Sequence, residues 1–180
     1  MFALTPRLAL RPGWPEDAPE LARAIGHEAV VTKLARVPWP YGQEDARSFL
    51  SLPQTSDQPR FVIVTRGGAP RLIGGIGLHR DGSVHELGYW LTPDAWGRGY
   101  ATEAARAVVA IARDALRLSM LRATAFEGND ASARVLAKLG FRSTGRTVPM
   151  ACLALGREVD AVETELDLGD MRTRPMPLAA

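Results

Sequence analysis

"ELGYWLTPDAWGRGYATEAARAVV", residues 86–109, changes character halfway along. Its opening belongs to "SVHELGYWL", apolar and aromatic in the manner of a strand. Its close belongs to "GYATEAARAVVAIARDAL", where small and apolar residues recur at helical spacing. Between the two stands "WGRGY", with Gly97 and Gly99 on either side of Arg98. Glycine at a strand-to-helix junction serves either a tight turn or a loop whose bare amides hold a phosphate. A helix start presents N–H groups without intrahelical partners, and its dipole makes the spot positive. Without Cβ atoms at 97 and 99 a phosphate can approach those amides. Thr102 fills the third glycine position of a dinucleotide fingerprint and no Gly-Lys-Ser/Thr follows, so neither a Rossmann nor a Walker loop fits. On its own the stretch permits both the turn and the phosphate reading.

Outward from it, the element types alternate. "RLALRP" reads as a strand, "WPEDAPELARAIG" as a helix ending at Gly26, and "QEDARSFLSL" as a second helix behind the aromatic, proline-rich loop "VPWPYG". "RFVIVTR" and "RLIGGIGLHR" are strands joined through "GGAP", and "SVHELGYWL" follows the turn "RDGS". After the long helix come a strand "MLRATAF", a helix "NDASARVLAKLG" that Asn129 can cap and Gly140 can end, and two closing strands. The order predicts a mixed α/β (α+β) fold with a sheet of about seven strands. A single domain spans residues 1–168, and the Pro-rich 169–180 reads as a flexible tail.

Composition sets the frame. The 180 residues suffice for one domain with a proper core. Apolar residues make up 46%, charged residues 23%, and the net charge is +2, the balance of an ordinary globule. Lysine occurs only at 33 and 138, and no basic run of the nucleic-acid-binding kind exists. No apolar stretch approaches the roughly 20 residues of a membrane span. The one cysteine, Cys152, excludes an intramolecular disulfide framework. These features predict a cytoplasmic protein without direct nucleic-acid or membrane partners, monomeric or homodimeric.

The segment 86–109, followed about thirty residues on by "NDASARVLAKLGF", closely resembles the GNAT superfamily of acyl-CoA N-acyltransferases, and within it the ribosomal-protein-alanine acetyltransferase branch. That superfamily's acyl-CoA loop is Gln/Arg-x-x-Gly-x-Gly/Ala; here it reads Trp96-Gly97-Arg98-Gly99-Tyr100-Ala101, with tryptophan at the first position. The likeness extends over roughly residues 4 to 168. It implies a mostly antiparallel sheet with helices on both faces. The strand before the loop and the strand after the long helix would splay apart to hold the acyl-CoA. The pantetheine arm would pair with Tyr89, Trp90, Leu91 and Thr92, and the pyrophosphate would rest on amides from Gly97 to Thr102. Asn129 and Ser132 match positions near the pantetheine and the sulfur, although Asn129 is also an ideal helix cap.

The implied reaction is direct attack of an amine on the acetyl thioester of acetyl-CoA, with no metal. Glu86 on the cradling strand is the expected base, and His85 is the runner-up, sent to the opposite face by strand alternation. His79 and His27 have no ligand or triad spacing, and Cys152 reads as strand packing rather than a covalent carrier. The tyrosine acid common in the superfamily falls on Leu136, which leaves Ser132 as the acid candidate. Trp39 and Tyr41, in the loop expected to border the acceptor, could clamp a peptide terminus or simply pack. A protein α-amine, with pKa near 7.7–8.0, is about a fifth neutral near pH 7.2, whereas a lysine amine is neutral less than once in a thousand. That favours a protein N-terminus as acceptor. A small-molecule amine acceptor and a non-catalytic acyl-CoA sensor are the competing classes.

Overall fold

The structure, a computed structural model, describes residues 1–169; of the expected tail, 170–180 lie outside the described residues. Eight strands form one sheet: β1 (Ala3–Leu4), β2 (Leu8–Arg11), β3 (Arg60–Thr65), β4 (Leu72–Asp81), β5 (Val84–Leu91), β6 (Met120–Phe126), β7 (Arg142–Cys152) and β8 (Arg157–Asp167). Their spatial order is β1-β2-β3-β4-β5-β6-β8-β7. Every pairing is antiparallel except β5 with β6. The eighth strand is β1, whose two residues fold back on β2 with too little sequence for a period to show.

Among the described residues five α-helices cover the sheet: α1 (Ala18–Ile25), α2 (Glu28–Val31), α3 (Gln43–Ser51), α4 (Tyr100–Ala110) and α5 (Asp130–Leu139). The one-turn α2 has no counterpart among the sequence-predicted elements; four residues carry no helical period. Alternation along the strands divides the core in two. Leu87 and Leu91 of β5 and Leu121 and Ala123 of β6 pack with Ala104, Ala105 and Val108 of α4 and Leu136 of α5. Val62, Leu72 and Trp90 point to the other face, against α1, α2 and α3. Alanines 104 and 105 are fully buried, so α4 lies close on the sheet without large side chains between.

Local chemistry fixes the ends. The Asp17 carboxylate accepts from the Trp14 amide at 2.7 Å and from Arg11 Nη1 and Nη2, each at 2.7 Å, which seats the start of α1. Gly140, at φ +95°, ends α5 in the left-handed conformation that glycine adopts without strain. The tip of the β7–β8 hairpin is tied across the sheet, the Leu153 amide donating to Ala35 O at 3.1 Å.

Candidate functional site

The sheet opens at one seam. Between β5 and β6 a single register pair exists, Glu86 opposite Arg122. The Thr92 amide donates to Ile73 O of β4 at 2.9 Å, and ladder alternation therefore turns the backbones of Trp90 and Thr92 to β4 and those of Tyr89 and Leu91 away from it. No β6 residue is registered to Tyr89 or Leu91. The Leu91 carbonyl is taken by Trp96, whose Nε1 donates to it at 2.8 Å. Toward the gap lie the Tyr89 N–H and C=O and the Leu91 N–H, to which no strand among the described residues is registered. Backbone groups of this kind require a partner.

The loop beyond β5 needs its glycines on geometric grounds. Gly97 has φ +73° and Gly99 φ +77°, a region that costs an L side chain. Around Gly97 a Cβ would meet nothing within 4 Å, so the backbone is also open to approach. Gly99 precedes α4, whose leading amides point out of the helix start. Arg98 is exposed. The loop is held from outside by Arg7, a residue that no sequence pattern singles out. Arg7 Nη1 donates to Arg98 O at 3.0 Å, Nε donates to Glu103 Oε2 at 2.7 Å, and the guanidinium stacks 4.6 Å from the Tyr100 ring centroid. Burial pushes the Glu103 carboxyl up, but hydrogen bonds from Thr5 and Arg7 and the Arg7 charge outweigh it and hold the group below its ordinary value. Arg7 thus offsets the charge of the ionised acid in the first turn of α4, and the helix start keeps its positive potential.

At the point of splay, one face carries Glu86, with its side chain 12% exposed. His79, its cross-strand partner on β4, brings Nε2 to 3.6 Å from Glu86 Oε2. Burial pushes the His79 imidazole down, Glu86 and Asp81 pull it up, Arg36 pushes it down again, and the net result lies below the ordinary histidine value. Sequence spacing gave His79 no role, yet it stands directly beside Glu86. Arg122 sits beside Glu86 in register, its Nε 3.2 Å from Glu163 Oε2 and its Nη2 3.5 Å from Glu165 Oε1. Two residues on from Glu86, on the same face, Gly88 is exposed and a Cβ there would meet nothing within 4 Å. His85 points the other way, buried, with Nε2 4.0 Å from Asp57 Oδ2.

On the opposite face Tyr89 reaches α5: its hydroxyl lies 2.8 Å from Ser132 Oγ. Burial pushes the Tyr89 phenol up, and the Ser132 bond offsets part of that. Asn129 caps α5, its Oδ1 accepting from the Ser132 amide at 3.3 Å. Leu136 is 2% exposed inside the main core. Tyr41 packs half-buried against the same apolar cluster as Trp90, around Ile25, Val30 and Val31, its phenol pushed up to about 12 by burial and by Asp45. Trp39 is exposed. Cys152 is buried, its thiol directed at the carbonyls of Leu34 and Thr32. Among the described residues no cluster of three or more His, Cys, Asp or Glu could hold a metal ion, and no helix is long and apolar enough to cross a membrane.

Comparison with known proteins agrees with this geometry. The Acetyltransferase (GNAT) domain family matches residues 7–142. A curated relative, "Uncharacterized N-acetyltransferase YoaA" of Bacillus subtilis (strain 168), is 32% identical over 154 residues, covering 78% of this chain and 82% of that protein. Among solved structures, a GNAT-family acetyltransferase from Bacillus anthracis superposes with a TM-score of 0.80 at 23% identity, over 93% of this chain and 99% of that one. The ribosomal L7/L12 α-N-protein acetyltransferase RimL, solved with coenzyme A, superposes at 0.79 with 18% identity, over 94% and 99% of the two chains. At those identities the two structures establish the shared fold.

Proposed function

Because the chain belongs to the GNAT acetyltransferase family, we propose that it moves the acetyl group of acetyl-CoA to a primary amine, a protein or peptide N-terminal α-amine, by direct attack on the thioester. The observation that carries this reading is the seam that opens beyond Glu86 and Arg122, with a carboxylate at its apex and strand backbone free along one wall. Tyr89 and Leu91 would hold the pantetheine amides through their gap-facing backbone groups. The amides from Gly97 to Thr102 would hold the pyrophosphate, with Arg98 free to add a charge. The Arg7 latch keeps that loop in place.

Glu86 acts as base, taking the amine proton directly or through one water, with the space over Gly88 admitting the acceptor beside it. A positioned base of this kind contributes about 10²–10⁴-fold. The Tyr89 amide, the first gap-facing N–H beyond the paired end, supports the developing oxyanion. Ser132 faces the departing sulfur. An α-amine suits a single carboxylate base because part of it is already neutral near pH 7. Exposed Trp39, at the border of the acceptor side, would contact the incoming peptide, and Tyr41 would shape the wall behind it.

The test is an acceptor screen with mass-spectrometric readout. It offers acetyl-CoA with peptides beginning in Ala, Ser or Met beside free amino acids, polyamines and aminoglycosides. Acetylation of a peptide α-amine at least tenfold faster than of any free amine is the expected result. Preference for a free amine would overturn the acceptor assignment, and no turnover with any amine would overturn the catalytic one.

A further inference from the structure

A serine hydroxyl is too weak an acid to protonate a thiolate outright, so the 2.8 Å contact between Tyr89 and Ser132 calls for a different chemical role. Ser132 is the only hydroxyl-bearing residue on α5, and Leu136, buried in the core, offers the gap nothing polar. The Asn129 cap fixes the first turn of the helix and with it the Ser132 backbone. The Tyr89 hydroxyl has two acceptors within reach, Ser132 Oγ at 2.8 Å and Ser132 O at 3.3 Å. A proton directed to the carbonyl leaves Ser132 donating to Tyr89. A proton directed to Oγ, the shorter contact, releases the Ser132 O–H to point elsewhere. Strand alternation also places this pair across the sheet from Glu86, so the base and the hydroxyl pair stand on opposite sides of the open seam.

We infer that Tyr89 and Ser132 form a two-hydroxyl donor chain that stabilises the departing thiolate, with Tyr89 the positioning residue that turns the Ser132 proton toward sulfur. The inference rests on the acetyl-transfer reading above. As the carbon–sulfur bond breaks, its electron pair goes to sulfur and is met by the Ser132 hydrogen bond. Donation from Tyr89 polarises the Ser132 hydroxyl and strengthens that bond. No proton leaves either side chain; the thiolate takes its proton from water on release, and the amine proton departs through Glu86. The raised phenol keeps its proton through neutral pH and so remains a donor.

The experiment compares binding of coenzyme A and desulfo-coenzyme A by calorimetry from pH 7 to 10, using the full chain, Tyr89→Phe, Ser132→Ala and the double variant. The desulfo compound absorbs any titration of groups around the gap: Glu86, Arg122, Tyr100, Glu103, Asp130 and Arg134. In the unmodified protein, coenzyme A should tighten about tenfold relative to the desulfo compound as the thiol ionises, the size of one hydrogen bond to a charged group. Tyr89→Phe should remove most of that gain, Ser132→Ala all of it, and the double variant should match Ser132→Ala. With an accepted amine, Tyr89→Phe should lower kcat about tenfold at unchanged KM for acetyl-CoA. Parallel pH dependence for the two ligands, or a Tyr89→Phe effect of equal size with and without Ser132, would overturn the inference while leaving acetyl transfer intact. Binding of neither ligand would overturn both.

Discussion

Strand β5 has two neighbours and meets them differently. Toward β4 it is registered along its whole length, from Leu91 opposite Gly74 to Val84 opposite Asp81; toward β6 it is registered only at Glu86. The closed seam is tight because β4 supplies glycines where Trp90 crosses it. A Cβ on Gly74 would lie 2.2 Å from Trp90 O, and one on Gly75 would lie 2.7 Å from Trp90 Nε1. The open seam leaves strand groups of Tyr89 and Leu91 facing outward, and the glycine beside it, Gly88, borders free space. One strand thus anchors the sheet with one edge and offers a ligand the other. On the proposed reading, the acyl-CoA cleft is a strand pairing left incomplete.

The largest effect should come from the apex of the open seam. Glu86→Gln should lower kcat/KM about 10²–10⁴-fold at pH 7 with coenzyme A affinity unchanged. The deficit should shrink between about pH 7 and 9 as an α-amine acceptor arrives neutral without help. His85→Gln, on the other face, should change kcat/KM less than twofold; a loss as large as that of Glu86→Gln would mean the base had been assigned to the wrong side of the strand.

The loop comes next. Gly97→Ala, at φ +73°, should weaken coenzyme A about tenfold by calorimetry. It should cost only about 1–2 kcal/mol of stability, the strain of a side chain in the left-handed region. Equal affinity would reduce the glycines to turn chemistry alone.

The two seams can then be compared through their own glycines. Gly74→Ala should destabilise the fold by about 1–3 kcal/mol, lowering Tm by roughly 3–9 °C, because the clash is with backbone on the closed side. Gly88→Ala should leave Tm within about 1 °C yet slow acetylation, since its Cβ enters the space beside Glu86. A Tm loss at Gly88 equal to that at Gly74 would show that the two sides are packed alike.

The smallest effect concerns the Arg7 latch. Glu103 has a folded pKa held below its ordinary value of 4.5, so its stabilising contribution is complete above that value and is lost as pH falls through the folded pKa. Glu103→Gln should therefore lower Tm slightly at pH 7, and the difference should vanish once the pH has fallen below the folded pKa of Glu103. An unchanged gap between the two proteins at low pH would show that the carboxylate charge is not what holds the loop.

Much of this architecture is readable in the residues, and the exceptions share a cause. The strands and the larger helices announce themselves by period, whereas the strand–glycine–helix passage at 86–109, ambiguous by pattern alone, points to the seam only through its resemblance to the GNAT acyl-CoA loop. The alternation that separates His85 from Glu86 is local, and it holds in the fold. The contacts that escape a linear reading join residues far apart in the chain: Arg7 with Glu103, Tyr89 with Ser132, Arg122 with Glu163. No single-strand pattern encodes them. His79 is different, because the two-residue turn at Gly82 and Ser83 sets Asp81 opposite Val84 and thereby His79 opposite Glu86. Counting back from that turn leads to it. The unanticipated β1 and α2 are too short to show a period.

Amide hydrogen exchange at single-residue resolution, with and without coenzyme A, tests the central claim most directly. Trp90 and Thr92, already turned to β4, should exchange slowly in both states. Tyr89 and Leu91 should exchange fast in the free protein and become protected by at least tenfold when coenzyme A is added. Protection of all four amides without ligand, or ligand-induced protection that misses Tyr89 and Leu91, would contradict the assignment of the open seam as the acyl-CoA cleft.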